Sequence, residues 1–273
     1  MEHNPLRENT EYPRKYDPDI LYPIPRWRAR SELNIDKKIK MHGIDHWHAY
    51  EISWLDKDGR PEVRLGEFFF NAESENMVES KSLKLYLNSF NNEKFRNDIE
   101  VEQNIVTDLS KVSQSEVKVM LLDVNTIPPL DEPMRTRISI DNEMISDSIE
   151  EGLNESILSI TNEVASDEEL YSDLFRSNCP VTGQPDWASF YIKYTGPQID
   201  RSSLLSYLCA YRNHQGYHEE CAERIFRDVS LQCKSTKLKL SLNFLRRGGL
   251  DINVYRSTEL MTSDMMFSRS ARQ

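Results

Sequence analysis

The sequence predicts an α+β protein of two tandem halves, each an antiparallel sheet with two helices on one face. Three observations carry that prediction. Several short runs alternate apolar with polar residues, the pattern of half-buried strands. Other stretches place apolar residues three and four apart, the pattern of amphipathic helices. The order of these elements, strand–strand–helix–helix–strand–strand, then occurs twice along 273 residues. The repeat is one of element order and not of residue identity.

The elements follow in order. The first thirty residues, "MEHNPLRENTEYPRKYDPDILYPIPRWRAR", are charged and Pro-rich and lack a signal-peptide core, so residues 1–40 read as an N-terminal arm. His48, Tyr50, Ile52 and Trp54 alternate with their neighbours, Asp58-Gly59 offers a turn, and Val63, Leu65, Glu67 and Phe69 resume the alternation. That is a β-hairpin. Leu83, Tyr86, Leu87 and Phe90 fall at helical spacing, and a second helix is predicted over 97–110. Two strands follow, "VKVMLLDV" (117–124) and "RTRISID" (135–141). The acidic stretch "SDSIEEGLNES" (146–156) reads as the link, which sets the two units at 41–145 and 146–273.

In the second half, "LFRSN" leads into a loop around Cys179, and Ala188, Phe190, Ile192 and Tyr194 alternate in "WASFYIKYTG". "DRSSLLSYLCAYRNH" predicts a helix with Asp200 as its N-cap. "YHEECAERIFRDVSLQC" predicts another, with Cys221, Ile225, Phe226 and Val229 on one face. Leu238, Leu240, Leu242 and Phe244 then share one face of a strand, and "LDINVYR" is its partner beyond the glycines of "RRGGLDIN".

Charge narrows the function classes. Acidic residues outnumber basic ones 45 to 34, a formal net charge of −11, which argues against a nucleic-acid scaffold. A local basic pocket for a phosphorylated small molecule stays open. No stretch approaches the ~20 apolar residues of a membrane span. The expectation is a soluble, cytoplasmic protein without nucleic-acid or membrane partners.

All four cysteines, Cys179, Cys209, Cys221 and Cys233, lie in the C-terminal half. None forms a CxxC pair, and no Cys/His cluster has zinc-ligand spacing, so free thiols are expected. Cys209, Cys221 and Cys233 sit in or beside predicted helices and read as small hydrophobes. Cys179, in "SNCPVTGQPDW", differs: it stands at a Gly/Pro-bent loop with Asp186 seven residues on. A buried small residue, a metal ligand, half a disulfide and a nucleophile are all compatible with that setting.

Four further segments offer chemistry. In "VESKSLKLYLNSFNN", Glu79, Ser80 and Lys81 stand where a loop enters a helix, a place that suits a phosphate or, equally, an ordinary capped helix. In "YHEECAERIF", His218 precedes Glu219 and Glu220; the group is either a solvated helix start or a proton relay with a carboxylate for a base edge. Arg246 and Arg247 precede Gly248, which reads as a phosphate clamp or as a turn with solvated arginines. His46 and His48, two apart in a strand, share a face as a metal pair would. No third ligand is evident near them, and two partly exposed strand histidines is the plainer reading.

Together, "EYPRKYDPDILYPIPR", "ESKSLKLYLNSFN", "SNCPVTGQPDW", "YHEECAERIF" and "RRGGLDIN" resemble the NADPH-dependent 7-cyano-7-deazaguanine reductases, the nitrile reductases of the queuosine pathway, in their long two-domain form. The resemblance spans nearly the whole chain. "NVYRS" (253–257) departs from it, where relatives more often carry Pro-Trp, a difference expected to bear on packing.

The resemblance implies two tunnelling-fold (ββααββ) units whose halves together form the site, and a homodimer. It implies Cys179 as nucleophile and Asp186 as proton donor. It gives the deazaguanine to Val78, Glu79, Ser80, His218 and Glu219, and NADPH to Ser80, Lys81, Arg247 and Gly248. It calls for no metal. The competing readings are a zinc-dependent cyclohydrolase of the same fold and a non-catalytic purine-binding relative.

Overall fold

A computed structural model describes residues 12–35, 39–126, 137–145, 152–262 and 269–273. The chain divides into two units. Unit 1 comprises Met1–Arg28, Asp45–Pro128 and Arg246–Ile252, and unit 2 comprises Ala29–Ile44, Pro129–Leu245 and Asn253–Gln273. The division is interleaved along the chain rather than a single cut at 145/146.

In chain order, unit 1 carries β1 (Pro23–Pro25), the start of α1 (Arg26–Glu32), most of β2 (His42–Leu55), β3 (Pro61–Asn71), β4 (Asn76–Val78), α2 (Ser80–Ser89), α3 (Asp98–Ser113) and β5 (Val117–Leu122). β2, β3 and β5 lie side by side, with β3 antiparallel to β5 from Leu65↔Leu122 to Phe70↔Val117. The predicted turn closes β2 on β3: Asp56 N–H donates to Arg60 O (2.9 Å), and Gly59 takes φ +87°. β1, from the predicted arm, pairs antiparallel with β4 and so fixes the approach to α2. Both helices are built as their spacing predicts. α2 buries Leu83, Tyr86 and Leu87, and α3 packs on β5 with Val101, Ile105 and Leu109 fully buried.

Unit 2 carries β6 (Ile138–Ser139), β7 (Ile160–Asn178), β8 (Pro185–Ile199), α4 (Arg201–Cys209), α5 (His218–Gln232), β9 (Lys237–Phe244) and most of β10 (Leu250–Ser257). Their order is β10-β9-β8-β7-β6. Asp200 caps α4 as predicted, its carboxylate accepting from Ser203 N–H at 2.7 Å. α5 buries the predicted face, Cys221, Ile225, Phe226 and Val229, and packs on β9. Val254 and Tyr255, within "NVYRS", are fully buried in β10.

Three expectations change. The strand predicted at 135–141 survives only as β6; it pairs in parallel with β7 and lies in unit 2, so it does not complete the first half's sheet. Residues 135–136 lie outside the described residues. The link predicted at 146–156 is outside them up to 151, and beyond it Glu155–Ile157 form a 3-10 turn leading into β7. β7 itself runs for 19 residues, where only "LFRSN" reads as strand in the sequence. Its acidic stretch before "LFRSN", "ITNEVASDEELYSD", has little strand propensity, and pairing with β8 through three register shifts supplies the order that local preference does not.

Candidate functional site

Cys179 stands at the tip of the β7–β8 hairpin, whose last register pairs are Ser177↔Asp186 and Asn178↔Pro185. The loop is tied across its base: Cys179 N–H donates to Gln184 O (2.8 Å), and Gly183 N–H donates to Cys179 O (2.9 Å). Gly183 takes φ +72°, which a residue with a Cβ adopts only at a cost. With both backbone groups of Cys179 bonded and Pro180 next in the chain, the thiol is held on a fixed frame. Side chains two apart on a strand share a face, so Ser177 and its partner Asp186 point to the same side of the hairpin, toward α5.

α5 brings the acid–base groups there. His218 is its first residue, and its Nε2 lies 3.7 Å from Asp186 Oδ2, within electrostatic reach but longer than a hydrogen bond. The His218 ring meets Phe244 edge-to-face at 4.0 Å, which fixes its orientation. The loop before α5 is laced to the Cys179 hairpin, with Asn178 N–H donating to His214 O (2.8 Å) and Gly216 N–H to Asn178 O (3.3 Å). Space at Gly216 is tight: a Cβ there would lie 3.1 Å from His214 Nε2 and 3.2 Å from Cys221 Sγ. Asp186 and Glu219 are both buried. Glu220 has a structural task, accepting from Tyr217 N–H at the helix start (3.2 Å), and burial pushes its carboxyl pKa up.

The other cysteines are unlike Cys179. All four are free, but Cys179 alone is partly exposed. Burial raises the thiol pKa of Cys209, Cys221 and Cys233, the last to about 12, and so suppresses their thiolates.

The remaining predicted residues belong to unit 1. Val78 ends β4, and Glu79 is the N-cap of α2. Glu79 Oε2 accepts from Ser82 N–H (2.8 Å), while Glu79 N–H donates to Tyr22 O (2.9 Å). The plain capped-helix reading therefore holds locally. A carboxylate offers about four acceptor sites, so the cap leaves capacity for a ligand. Ser80 and Lys81, half-buried, open the helix.

Arg247 and Leu250 close the β9–β10 turn, Arg247 N–H donating to Leu250 O at 2.8 Å. Gly248 and Gly249 take φ +59° and +76°, as a tight hairpin turn with two left-handed residues demands. A Cβ on Gly249 would come within 2.8 Å of the Glu51 carboxylate, and one on Gly248 within 3.3 Å of the Lys84 side chain. This bare turn lines a cavity of about 590 Å³ together with Tyr50, Glu51, Lys84 and Asn88. That volume is typical of small-molecule sites. Exposed turn backbone beside a lysine suits the phosphates of a dinucleotide. Gly248 is the one predicted cofactor residue on its wall; Ser80, Lys81 and Arg247 are not. Sequence reading missed Lys84, although it stands one helical turn after Lys81 on α2.

His46 and His48 are not partly exposed, as expected, but buried. The sequence showed no third donor near them, but the fold brings Glu67 on β3 beside the pair, its Oε2 3.2 Å from His46 Nε2. Burial lowers the His46 pKa, and the hydrogen bond from His46 holds the Glu67 carboxyl below its usual range.

Comparison with known proteins follows the same segments. Residues 12–121 match the family described as nitrile reductase, 7-cyano-7-deazaguanine-reductase N-term, and residues 185–262 match the family described as QueF-like protein. An NADPH-dependent 7-cyano-7-deazaguanine reductase of Burkholderia orbicola (strain MC0-3) is 44% identical over 259 residues, 94% of each chain. One from Burkholderia vietnamiensis (strain G4) is 43% identical over 272 residues, covering 100% of this chain and 99% of its own. Among solved structures, the apo form of the archaeosine synthase QueF-Like aligns at a TM-score of 0.30 and 16% identity, over 37% of this chain and 91% of that one.

Proposed function

Because the chain belongs to the 7-cyano-7-deazaguanine reductase family, we propose that it reduces the nitrile of 7-cyano-7-deazaguanine to the aminomethyl group with NADPH, in queuosine biosynthesis. The observation that carries this reading is the rigid β7–β8 hairpin, which presents the single partly exposed thiol on the strand pair that holds Asp186 beside His218.

A nitrile carbon is a weak electrophile, and covalent capture divides one hard reduction into two easier ones. The Cys179 thiolate adds to the nitrile carbon, forming a C–S bond, while Asp186 protonates the nitrogen; the product is a thioimide. NADPH supplies two hydrides, one to the thioimide carbon and one to the later imine carbon. Between them the C–S bond breaks, and Cys179 leaves as thiolate. Net, one nitrile, two NADPH and two protons give one primary amine and two NADP⁺.

Val78, Glu79, Ser80, His218 and Glu219 hold the deazaguanine, the carboxylates accepting from its amide-like N–H edge. Ser80, Lys81, Arg247 and Gly248 hold NADPH, and Lys84 joins them from the wall of the Gly248 cavity. The chain is a pair of tunnelling-fold units, works as a homodimer and is cytoplasmic. Its α+β composition and mostly antiparallel sheets support the fold part of that reading; among the described residues no helix is long and apolar enough to cross a membrane.

The test incubates the protein with the nitrile and follows cofactor oxidation. About two NADPH are expected per nitrile consumed. Binding of the nitrile without NADPH oxidation would instead favour a non-catalytic purine-binding protein. In Lys81→Ala the apparent KM for NADPH is expected to rise tenfold or more with the nitrile KM little changed, as for loss of one charge-assisted phosphate contact. An equal rise in both would remove Lys81 from the cofactor site.

A further inference from the structure

We propose that His46, His48 and Glu67 form a binding site for a divalent transition-metal ion of the zinc type, clipping β2 to β3 and using no cysteine ligand. One nitrogen or oxygen from each of the three residues lies within 4.8 Å of the others. A zinc ion bonded at ~2.0–2.1 Å holds tetrahedral ligands roughly 3.3 Å apart. His46 Nε2 and Glu67 Oε2, 3.2 Å apart, already have that spacing. Closing the remaining donors from within 4.8 Å to that spacing takes a side-chain shift of at most about 1.5 Å.

The surroundings resemble those of a built site. His48 Nδ1 lies 2.6 Å from Asp251 Oδ1, and Asp251 Oδ2 accepts from the Tyr50 hydroxyl at 2.5 Å. A ligating histidine ordinarily gives its other ring N–H to a carboxylate that is itself hydrogen-bonded, which sets the tautomer and turns Nε2 toward the metal. His46 is stacked on Phe69, ring centroids 4.3 Å apart and planes within 9°, so its ring direction is also fixed. The Glu67 side chain keeps 16% of its surface accessible, against 5% and 8% for the two histidines, which leaves an approach for an ion from the carboxylate side.

Two imidazoles and one carboxylate are borderline donors, suited to Zn²⁺ and its first-row neighbours rather than to Ca²⁺ or Mg²⁺, which take oxygen ligands. All of these residues belong to unit 1, whereas Cys179 belongs to unit 2. No cysteine is among the three donors, so the proposed centre is not a cysteine-ligated one. Its role is structural, cross-linking two strands whose ligands stand 21 residues apart in the chain.

The experiment strips the full-length protein with chelator, dialyses it against ZnCl₂ and counts bound zinc by mass spectrometry. About one zinc per chain is expected, together with a higher Tm that chelator reverses. Glu67→Gln keeps the size of the side chain and a hydrogen-bonding partner for His46, and it should weaken zinc binding at least tenfold; His46→Gln should do the same. Cys179→Ala should bind zinc as the wild type does. X-ray absorption of the zinc-loaded wild type, which needs no variant to fold, should show nitrogen and oxygen neighbours only. No zinc retained, zinc retained equally by Glu67→Gln and His46→Gln, zinc lost in Cys179→Ala, or a sulfur neighbour near 2.3 Å would each overturn the proposal.

Discussion

At the scale of single residues, exposure and bonding separate one cysteine from three. Cys209, Cys221 and Cys233 are buried, and burial disfavours their charged form. Cys179 is partly exposed at a hairpin tip. A thiol reagent applied to the native protein near neutral pH should therefore label one cysteine per chain in a fast phase. Peptide mapping should place that label on Cys179, and Cys179→Ala should lose the fast phase, with the other three reacting only on unfolding. The Cys179–Asp186 pairing came from the family resemblance, which one segment could carry because both residues lie in one short loop and its flank. The His46–His48–Glu67 group was not legible in the sequence, because its third member joins the others only through the pairing of β2 with β3. Lys84 was overlooked for a different reason: nothing in a lysine on an amphipathic helix distinguishes a ligand contact from a solvated side chain.

At the scale of elements, unit 2 depends on a buried charge cluster that joins α1, α5 and β10. Both oxygens of Glu223 on α5 take the Arg30 guanidinium fork, at 2.7 and 2.8 Å. Glu223 Oε1 also accepts from Arg256 Nε and Nη2, at 3.1 and 2.8 Å. Arg256 is fully buried. Removing the carboxylate takes four charge-assisted hydrogen bonds from two arginines, one of them fully buried, so Glu223→Ala should cost about 3–5 kcal/mol. Denaturant unfolding followed by far-UV circular dichroism measures this; a loss under 1 kcal/mol would show that water or another group compensates. This cluster could not be read from the sequence, since Arg30 and Glu223 stand 193 residues apart. The helices and most strands could, because the periodicity of Leu83 to Phe90 or of Leu238 to Phe244 is a local property. β7 escaped recognition because its order comes from its partner, and β6 was assigned to the wrong half because register across a sheet is not written in a single strand.

At the scale of the whole molecule, the ordered sequence of segments said more than any one of them. An acidic chain with free thiols argues against a nucleic-acid scaffold but leaves many enzymes open. The co-occurrence of the α2 signature, the Cys179 hairpin, the α5 start and the Gly248 turn narrows them to a single family, to which the matches over residues 12–121 and 185–262 assign the chain. The central claim is covalent capture of the nitrile by Cys179, and intact mass spectrometry with 7-cyano-7-deazaguanine in the absence of NADPH tests it most directly. The wild type should gain the mass of one substrate per chain, mapped to Cys179, and Cys179→Ala should show neither adduct nor turnover; an adduct on another cysteine, or undiminished turnover in Cys179→Ala, would contradict it.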